Sequence, residues 1–284
     1  MANLKEIRNR IVSIQSTMQI TSAMKMVSAA KLKKAQDAIT AMRPYSEKLT
    51  EILQAVSATM EGDTGAAYTA QREVNNVLIV VITSNRGLCG AFNANVIKEA
   101  RLLLAKYKGK NVQVVTIGKK GTDLLKKEAN LLSSHNELFD NLTFANAAQI
   151  ADVITSKFVN GDVDKVEFVY NQFKNAATQE VKVEQYLPLV QNDLDNVNSD
   201  YLFEPEKVEI LLTLIPKALK TQFYKAIRDS FAAEHGARMT AMHKATDNAT
   251  DLRNQLKLTY NKARQAAITG EILEIVGGAE ALNN

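Results

Sequence analysis

Two glycine-containing segments carry residue types that could bind a phosphate group. The first, Thr83–Asn93 (TSNRGLCGAFN), follows an apolar run and precedes a helix-like pattern, which is where nucleotide-binding loops lie. A dinucleotide fingerprint needs three glycines spaced G-x-G-x-x-G, whereas this segment has only Gly87 and Gly90. The second, Gly118–Gly121 (GKKG), has Lys120 where a phosphate-binding loop has serine or threonine. Neither segment completes a phosphate site, and we expect no cofactor.

The side chains that carry nucleophilic or metal chemistry are also not grouped in the sequence. Cys89 is the only cysteine, which fits a reducing compartment and excludes a cysteine-rich metal site. A nucleophilic cysteine needs a histidine and a carboxylate, but His135, His235 and His243 lie in unrelated segments. His235 and His243 are too far apart to be the paired ligands of a helical metal site. We therefore expect no catalytic residue and no metal ion.

The elements around these segments begin with a long amphipathic helix over residues 1–60. Residues that favour burial recur at alternating steps of three and four, which is the heptad pattern of a helix packed along another helix. The stripe then shifts phase, and we expect the helix to continue to Pro44. The stripe consists of Leu4, Ile7, Ile11, Ile14, Met18 and Thr21, followed by Met24, Ser28, Leu32, Ala35, Ile39 and Met42.

The period changes after a loop predicted at Glu61–Tyr68, and residues 61–205 read as a small α/β domain. Short β-branched runs of the kind that form buried parallel strands alternate with helical patterns. The predicted strands are Val77–Thr83, Val112–Ile117, Val166–Gln172 and Val181–Leu187. The predicted helices are Ala94–Tyr107, Gly121–Leu132 and Asn146–Phe158.

The remaining segment, residues 206–284, contains the longest predicted helix, Lys217–Val276, which would extend roughly 90 Å. A helix longer than its own domain must dimerise, lie exposed or be enclosed by another protein. Its predicted seam follows a strict alternation of three and four and includes small residues that let a facing helix approach closely. The seam positions are Met242, Ala245, Ala249, Leu252, Leu256, Thr259, Ala263, Ala266, Gly270 and Leu273.

Composition and charge narrow the class of protein. Tryptophan is absent, aromatic residues make up 6%, and there are only 12 glycines and 4 prolines, which favours packed helices over an all-β fold. Seven of the first 36 residues are basic and one is acidic, an imbalance that favours an acidic partner over an ordinary solvated face. We expect no nucleic-acid partner. The longest apolar runs are far shorter than the ~18 residues of a membrane span, so any link to a membrane is expected to be indirect.

Three long segments are similar to one protein family. Ile7–Lys34 (IRNRIVSIQSTMQITSAMKMVSAAKLKK), Thr83–Asn93 and Glu234–Leu282 resemble the gamma subunits of F-type ATP synthases, and the resemblance covers the whole chain. The chain departs from the family pattern at three positions. They are Asn85, where aspartate is usual, and Gly236 and Gly270, where residues other than glycine are usual.

The resemblance implies a fold that combines an α/β domain with a long coiled coil. The N-terminal helix (1–60) and the C-terminal helix (206–284) would form an antiparallel coiled coil with an inserted Rossmann-like α/β domain (61–205). The coiled coil would be a shaft that rotates inside a ring of three alpha and three beta subunits, where catalysis occurs. The α/β domain would be a foot that sits with epsilon on the membrane c-ring.

The same resemblance implies a function and a location. The chain would be a non-catalytic subunit that couples proton flow through the c-ring to ATP synthesis or hydrolysis. It would lie peripherally at the cytoplasmic face of the bacterial inner membrane, without inserting into it. Its implied contacts with partner subunits are Arg86, Gly87 and Gly90 in the first glycine segment, Met24 in the N-terminal helix, and Arg238, Arg264, Gln265, Thr269 and Glu271 in the C-terminal helix. Each shaft position is also compatible with an ordinary coiled-coil flank.

Two other functions are open on the residues alone. A free-standing scaffold would self-associate through the same heptad seam, and a nucleotide-dependent enzyme would use the α/β domain. A scaffold should dimerise when purified alone and an enzyme should bind nucleotide alone, whereas a rotor requires alpha and beta chains.

Overall fold

The computed structural model describes residues 4–58, 66–189 and 207–282, and the chain divides into two compact units. We call residues 29–238 the sheet unit, and residues 1–28 together with 239–284 the helix-pair unit. The division of the chain into the segments 1–60, 61–205 and 206–284 stays a prediction.

The elements follow one another as expected for a helix, an α/β insert and a longer helix. In chain order they are α1 (Leu4–Ala58), α2 (Ala66–Thr69), β1 (Asn76–Ile82), α3 (Phe92–Lys106), β2 (Asn111–Ile117), α4 (Lys119–Leu125), β3 (Asn130–His135), the 3₁₀ helix η1 (Glu137–Phe139), α5 (Phe144–Val159), β4 (Lys165–Phe173), β5 (Gln179–Leu187) and α6 (Lys207–Leu282). Residues 61–65 of the predicted loop lie outside the described residues, and Ala66–Thr69 form a helical turn instead.

A five-stranded sheet in the order β3-β2-β1-β4-β5 organises the sheet unit. Strand β1 pairs in parallel with both β2 and β4, and only β5 runs antiparallel to its neighbour. The apolar run of β1 is buried from Val77 to Ile82, because helices cover both faces of the sheet. The strand order reverses beside β1, so the ends of β1 and β4 flank the point where such sheets usually bind ligands.

Each face of the sheet has its own core. On one face, residues of β1 and β2 pack against α3 and Leu125 of α4. On the other face, residues of β1 and β4 pack against α5 and the first half of α6, where Phe168, Tyr186 and Phe223 form an aromatic cluster with Phe168 centred 4.3 Å from Tyr186. The inserted α/β fold that the sequence predicts is confirmed.

The helix predicted over Gly121–Leu132 is wrong in its second half. Helix α4 ends at Leu125, and Asn130–His135 form the edge strand β3, which the sequence did not predict. An edge strand pairs on one side only and is partly buried, so β3 tolerates the polar residues Ser133 and Ser134. These serines interrupt the apolar run by which a strand is usually recognised in a sequence.

Each of the two long helices contains a proline that the sequence places at a helix boundary. Pro44 is predicted to end the N-terminal helix, and Pro216 is predicted to precede the C-terminal one. Helix α1 continues through Pro44 to Ala58, and α6 begins at Lys207 and contains Pro216. A proline removes one helical hydrogen bond. Burial of Ile39 and Leu49 on either side of Pro44 favours continuation of the helix.

In the helix-pair unit the two segments run antiparallel, since Thr21 contacts Thr246 while the earlier Met18 contacts the later Thr250. The predicted N-terminal stripe is confirmed, because every position in it from Leu4 to Thr21 is buried or half-buried. Four of the ten predicted positions of the C-terminal seam are wrong. Leu252, Thr259, Ala266 and Leu273 are exposed, and Arg253, Tyr260 and Ala267 take the half-buried places beside them.

Candidate partner-docking site

The segment Thr83–Asn93 leaves the carboxyl end of β1, and its first three residues cap a helix that begins 34 residues later in the chain. The first N–H groups of a helix have no partner within the helix and need acceptors from elsewhere. In α4 these bonds run from Lys119 N to Asn85 Oδ1 (3.0 Å), from Lys120 N to the Ser84 carbonyl (3.1 Å) and from Gly121 N to Thr83 Oγ1 (2.8 Å). The chain's own side chains therefore occupy the place where a phosphate could bind a helix N-terminus.

The glycines of the GKKG segment allow this close approach. A Cβ at Gly118 would lie 2.2 Å from the Thr83 carbonyl oxygen, and one at Gly121 would lie 2.8 Å from Thr83 Oγ1. Gly118 also has a φ of 98°, which side-chain-bearing residues rarely adopt. These glycines are explained by packing of the capping residue rather than by a ligand.

The residues that follow, Arg86–Gly90, form an exposed turn that we call the docking loop. Leu88 lies at its tip with a φ of 63° and a side chain that is 65% exposed. Arg86, Gly87 and Gly90 are also exposed, as a contact surface requires. A left-handed leucine with an exposed apolar side chain is unfavourable by itself, which indicates that the loop is held in shape by its surroundings.

Arg238 of α6 holds this loop from one side. Its Nη2 donates hydrogen bonds to the carbonyls of Arg86 (3.1 Å) and Gly87 (3.3 Å), and its Nη1 lies 2.5 Å from Glu234 Oε1. Arg238 and Glu234 are each only 7% exposed. The residue that the resemblance placed at a partner contact thus has an internal role in the sheet unit, and its contact with a partner subunit stays a prediction.

Burial sets the charge states around this ion pair. Burial raises the pKa of Glu234, and the neighbouring Arg238 opposes that shift. Burial, with Arg238 and Lys31 adding repulsion, lowers the pKa of His235 to about 3, so His235 is neutral at physiological pH. Among the described residues, neither ring nitrogen of His235 has a hydrogen-bond partner. A neutral, buried histidine packed edge-on against Phe231 acts as an aromatic core residue rather than as an acid or base.

Cys89 is the buried residue of the docking loop, with a side chain that is 1% exposed. Burial raises the pKa of its thiol, which disfavours the reactive thiolate. Asn93 connects it to the start of the loop, donating from Nδ2 to Cys89 Sγ (3.2 Å) and to Ser84 Oγ (2.8 Å). Cys89 is therefore a packing residue that ties the loop to α3.

The ligand crevice between the ends of β1 and β4 is filled by the protein itself. Cys89, Phe92 and Ala233 form a small buried cluster there, with Phe173 and Ala237 packed against it. Asn171 Nδ2 of β4 donates to the Phe92 carbonyl (3.1 Å) and closes the gap further. Within residues 4–58, 66–189 and 207–282, no three metal-ligating side chains come together.

Gly236, one of the departures from the family pattern, lies where α6 passes the β4–β5 turn. A Cβ at this position would lie 3.2 Å from the Ala176 carbonyl oxygen, which is tighter than an ordinary contact. The glycine therefore allows the turn to approach the helix. Gly270 has open space around it, and nothing in the structure explains it.

The structure does not bring all the predicted contact residues together. Met24 is half-buried in α1, and its carbonyl accepts a hydrogen bond from Ser28 Oγ (2.7 Å). The four other predicted residues lie on the exposed last part of α6: Arg264, Gln265, Thr269 and Glu271. Met24 and these four belong to the helix-pair unit, whereas Arg86, Gly87, Gly90 and Arg238 belong to the sheet unit.

Comparison with known proteins places the chain in a family. A family model described as ATP synthase matches residues 3–282. The ATP synthase gamma chain of Flavobacterium johnsoniae is 72% identical over 285 residues, covering all of both chains, and that of Cytophaga hutchinsonii is 52% identical over 297 residues, again covering both completely. The chain belongs to the ATP synthase gamma chain family.

Solved structures agree with this assignment. A chain from the central stalk and c-ring of the Tetrahymena thermophila mitochondrial ATP synthase is 29% identical and superposes with a TM-score of 0.62, covering 80% of this gamma chain and 99% of that chain. A chain from the Euglena gracilis mitochondrial ATP synthase is 23% identical with a TM-score of 0.73, covering 98% and 94%, which shows the shared fold. The predicted family and fold class are confirmed, and a gamma chain is a non-catalytic part of a membrane-associated complex.

Sequence reasoning missed Asn85, which caps α4 beside the docking loop, and Glu234, which pairs with Arg238. The sequence marks Asn85 only as a departure from the family pattern. Thr-Ser-Asn is a typical capping sequence, but the helix that it caps follows β2 rather than β1. The four-residue spacing of Glu234 and Arg238 on one helix was a signal for an ion pair that could have been used.

Proposed function

We propose that this gamma chain is the central-stalk rotor of a bacterial F-type ATP synthase. It turns inside a ring of three alpha and three beta subunits and couples proton flow through the c-ring to ATP synthesis or hydrolysis on the beta subunits. An asymmetric shaft presents a different face to each beta subunit, so the three catalytic sites differ in nucleotide affinity at any moment. Rotation exchanges these states.

The observation that carries this proposal is the uncovered surface of α6. Large apolar side chains near its end are exposed, namely Ile268 (48%), Ile272 (54%), Leu273 (67%), Ile275 (71%) and Val276 (54%). Soluble proteins rarely leave such contiguous apolar surface in water unless another protein covers it. The enclosing alpha-beta ring supplies that cover.

The helix-pair unit also carries a net positive charge, which fits an acidic counterpart in the ring. It contains nine lysines and arginines and six aspartates and glutamates, and the excess of three lies in residues 1–28. Arg264, Gln265, Thr269, Glu271 and Met24 are proposed to contact the ring. Exposed ion pairs contribute only ~0–1 kcal/mol each, so many weak contacts share the torque.

The sheet unit is proposed to be the foot of the rotor, in contact with epsilon and the c-ring. Its docking loop, with Arg86, Gly87 and Gly90, is proposed to contact the alpha-beta ring. None of the helices in the described part of the chain has the length and apolarity needed to cross a membrane. The membrane association of the complex is therefore supplied to this chain through its partners. We place it at the cytoplasmic face of the inner membrane as a peripheral subunit.

Co-expression with the alpha and beta chains of the same organism tests the proposal. We expect the tagged gamma chain to purify with both, in a complex whose ATP hydrolysis requires all three chains. Incorporation into membranes together with epsilon and the c-ring should restore proton pumping driven by ATP. A gamma chain that forms a stable homodimer and does not join the ring would instead support the self-associating scaffold.

A further inference from the structure

We infer that Asn85 is the positioning residue of the docking loop, because its side chain ties the start of that loop to the ends of two other strands. This inference rests on the proposed function, in which the loop contacts a partner subunit. Asn85 follows β1. Its Oδ1 accepts from the backbone N–H of Lys119 after β2 (3.0 Å), and its Nδ2 donates to the carbonyl of Asn136 after β3 (2.7 Å).

Only a side chain with both an acceptor and a donor can make these two bonds. A backbone N–H can only donate and a backbone carbonyl can only accept, so the Asn85 oxygen must face Lys119 and its nitrogen must face Asn136. A carboxylate has the same shape and keeps the first contact. It cannot donate to a carbonyl oxygen, and the two oxygens would repel each other.

The contact with Asn136 extends the attachment to α4. Asn136 Oδ1 accepts a hydrogen bond from Thr122 Oγ1 (3.0 Å), and Thr122 also contacts Thr116 of β2 (2.9 Å). The half-buried Asn85 side chain is thus part of a continuous hydrogen-bonded chain across three strand ends. It gives the docking loop a fixed base at the ends of β1, β2 and β3.

Arg238 holds the same loop from the α6 side through the carbonyls of Arg86 and Gly87. The two attachments lie before and within the loop, so together they determine where Leu88 and Arg86 project. A loop fixed before binding loses less conformational entropy when a partner docks. Asn85 therefore raises affinity without itself needing to touch the partner.

Hydrogen exchange on the full-length chain tests this role at single amides. Two amides beside the docking loop donate hydrogen bonds, Ser84 N to Asn93 Oδ1 (2.9 Å) and Phe92 N to the Cys89 carbonyl (3.3 Å), and we call their protection docking-loop protection. Asn85→Asp loses one hydrogen bond and Asn85→Ala loses two, which should reduce docking-loop protection roughly fivefold and roughly twenty-fivefold. The amide of Lys119 should stay protected in Asn85→Asp, because a carboxylate still accepts, and should lose protection in Asn85→Ala. Retained protection of the Lys119 amide in Asn85→Asp would show that the two hydrogen bonds act separately. A general loss of structure around Asn85 would instead reduce protection of Lys119 in both variants.

Asn111→Asp is the matched control. Asn111 Nδ2 also donates to an amide oxygen, Asn76 Oδ1 (3.0 Å), and Asn111 is exposed at the start of β2, at the end of the strands opposite to Asn85. We expect docking-loop protection in this variant to stay within about twofold of the unmodified chain. Unchanged loop protection in Asn85→Ala, with only Lys119 losing protection, would overturn the inference and leave Asn85 as a helix cap alone.

Affinity for the alpha-beta ring is then measured for the same variants. If loop protection and ring affinity fall together in Asn85→Ala, both the positioning role and the docking role are supported. If loop protection falls as expected while ring affinity is unchanged, Asn85 positions the loop but the loop does not contact the ring. That outcome contradicts the proposed function of the loop without contradicting the inference.

Discussion

The two units of the chain differ in how much of their own surface they cover. In the sheet unit, β1 is buried along its apolar run, and both faces of the sheet are covered by helices. In the helix-pair unit, only Ile7, Thr21, Ser28 and Met242 are buried among the described residues. The sheet unit therefore has a complete core of its own, whereas the helix pair shares one narrow seam and depends on a partner to cover the rest.

The largest expected effect comes from removing part of the core of the sheet unit. Phe223→Ala deletes a fully buried ring that contacts Phe168 and Tyr186, which should lower the free energy of unfolding by about 3–5 kcal/mol. Chemical denaturation of the full-length chain measures it. Ile268→Ala, at a position that is 48% exposed in the helix pair, should change the same quantity by less than about 0.5 kcal/mol. Equal losses in both variants would contradict the contrast between the units.

Breaking the ion pair between Glu234 and Arg238 should lower the free energy of unfolding about as much as Phe223→Ala does, by an amount that depends on pH. Arg238→Met leaves Glu234 buried without its cation, which should lower the free energy of unfolding by about 3–5 kcal/mol at pH 8. Burial already raises the pKa of Glu234 above its unfolded value, and loss of Arg238 raises it further. Folding then favours the protonated acid, so stability is greatest at low pH and is lost as pH rises through the folded pKa.

Unfolding of Arg238→Met should therefore show a smaller deficit at pH 5 than at pH 8. The double variant Glu234→Gln with Arg238→Met is the control, because it has no carboxyl group to titrate at this position. A deficit that is identical at both pH values would refute the assignment of the cost to Glu234.

Substitutions in the helix pair are expected to change the stability of the chain less than core substitutions do, and to impair assembly with the alpha-beta ring strongly. Leu256→Asp introduces a carboxylate at a half-buried seam position and should destabilise the pair by about 1–3 kcal/mol, which lowers its melting temperature. Leu258 lies two residues away but is 64% exposed. Leu258→Asp should leave the melting of the isolated chain unchanged and weaken only its incorporation into the alpha-beta ring. Identical melting of both variants would contradict the observed seam.

The smallest effect is expected at the exposed ion pair of α1. Lys33 Nζ lies 3.1 Å from Asp37 Oδ1, and the two side chains are 75% and 62% exposed. Lys33→Ala should change stability by less than about 0.5 kcal/mol and leave the ratio of proton pumping to ATP hydrolysis unchanged. Strong uncoupling by this single change, measured in membrane vesicles, would show that torque depends on one contact rather than on many.

The parts of the fold that could be predicted are those in which one physical signal dominates. The run Val77–Ile82 is apolar and rich in β-branched residues, which favours a buried strand, and the stripe from Leu4 to Thr21 fits a helix seam at every step. At Leu252 and Arg253 two signals conflict. Hydrophobicity favours Leu252, but the helical phase places Arg253 inward, with its Nη1 3.8 Å from Met18 Sδ. The long side chain allows this by burying its stem.

The candidate site was harder to predict because its partners are distant in the sequence and are mostly backbone atoms. Arg238 bonds to carbonyls about 150 residues earlier, and a carbonyl gives no sign in the amino-acid sequence. Asn85 is similar, since it bonds to the N–H of Lys119 and the carbonyl of Asn136. Sequence reasoning found the docking loop through its family pattern but not the contacts that hold it.

The hydroxyl pair between the two helices has a mechanical consequence. Thr21 Oγ1 and Thr246 Oγ1 lie 2.8 Å apart, yet Thr21 can also donate to the Met18 carbonyl (3.1 Å) and Thr246 to the Met242 carbonyl (2.8 Å). Separating the two hydroxyls therefore leaves no donor unsatisfied, because each proton has an acceptor on its own helix. At this level the helix pair can shear or twist slightly with little loss of hydrogen bonding.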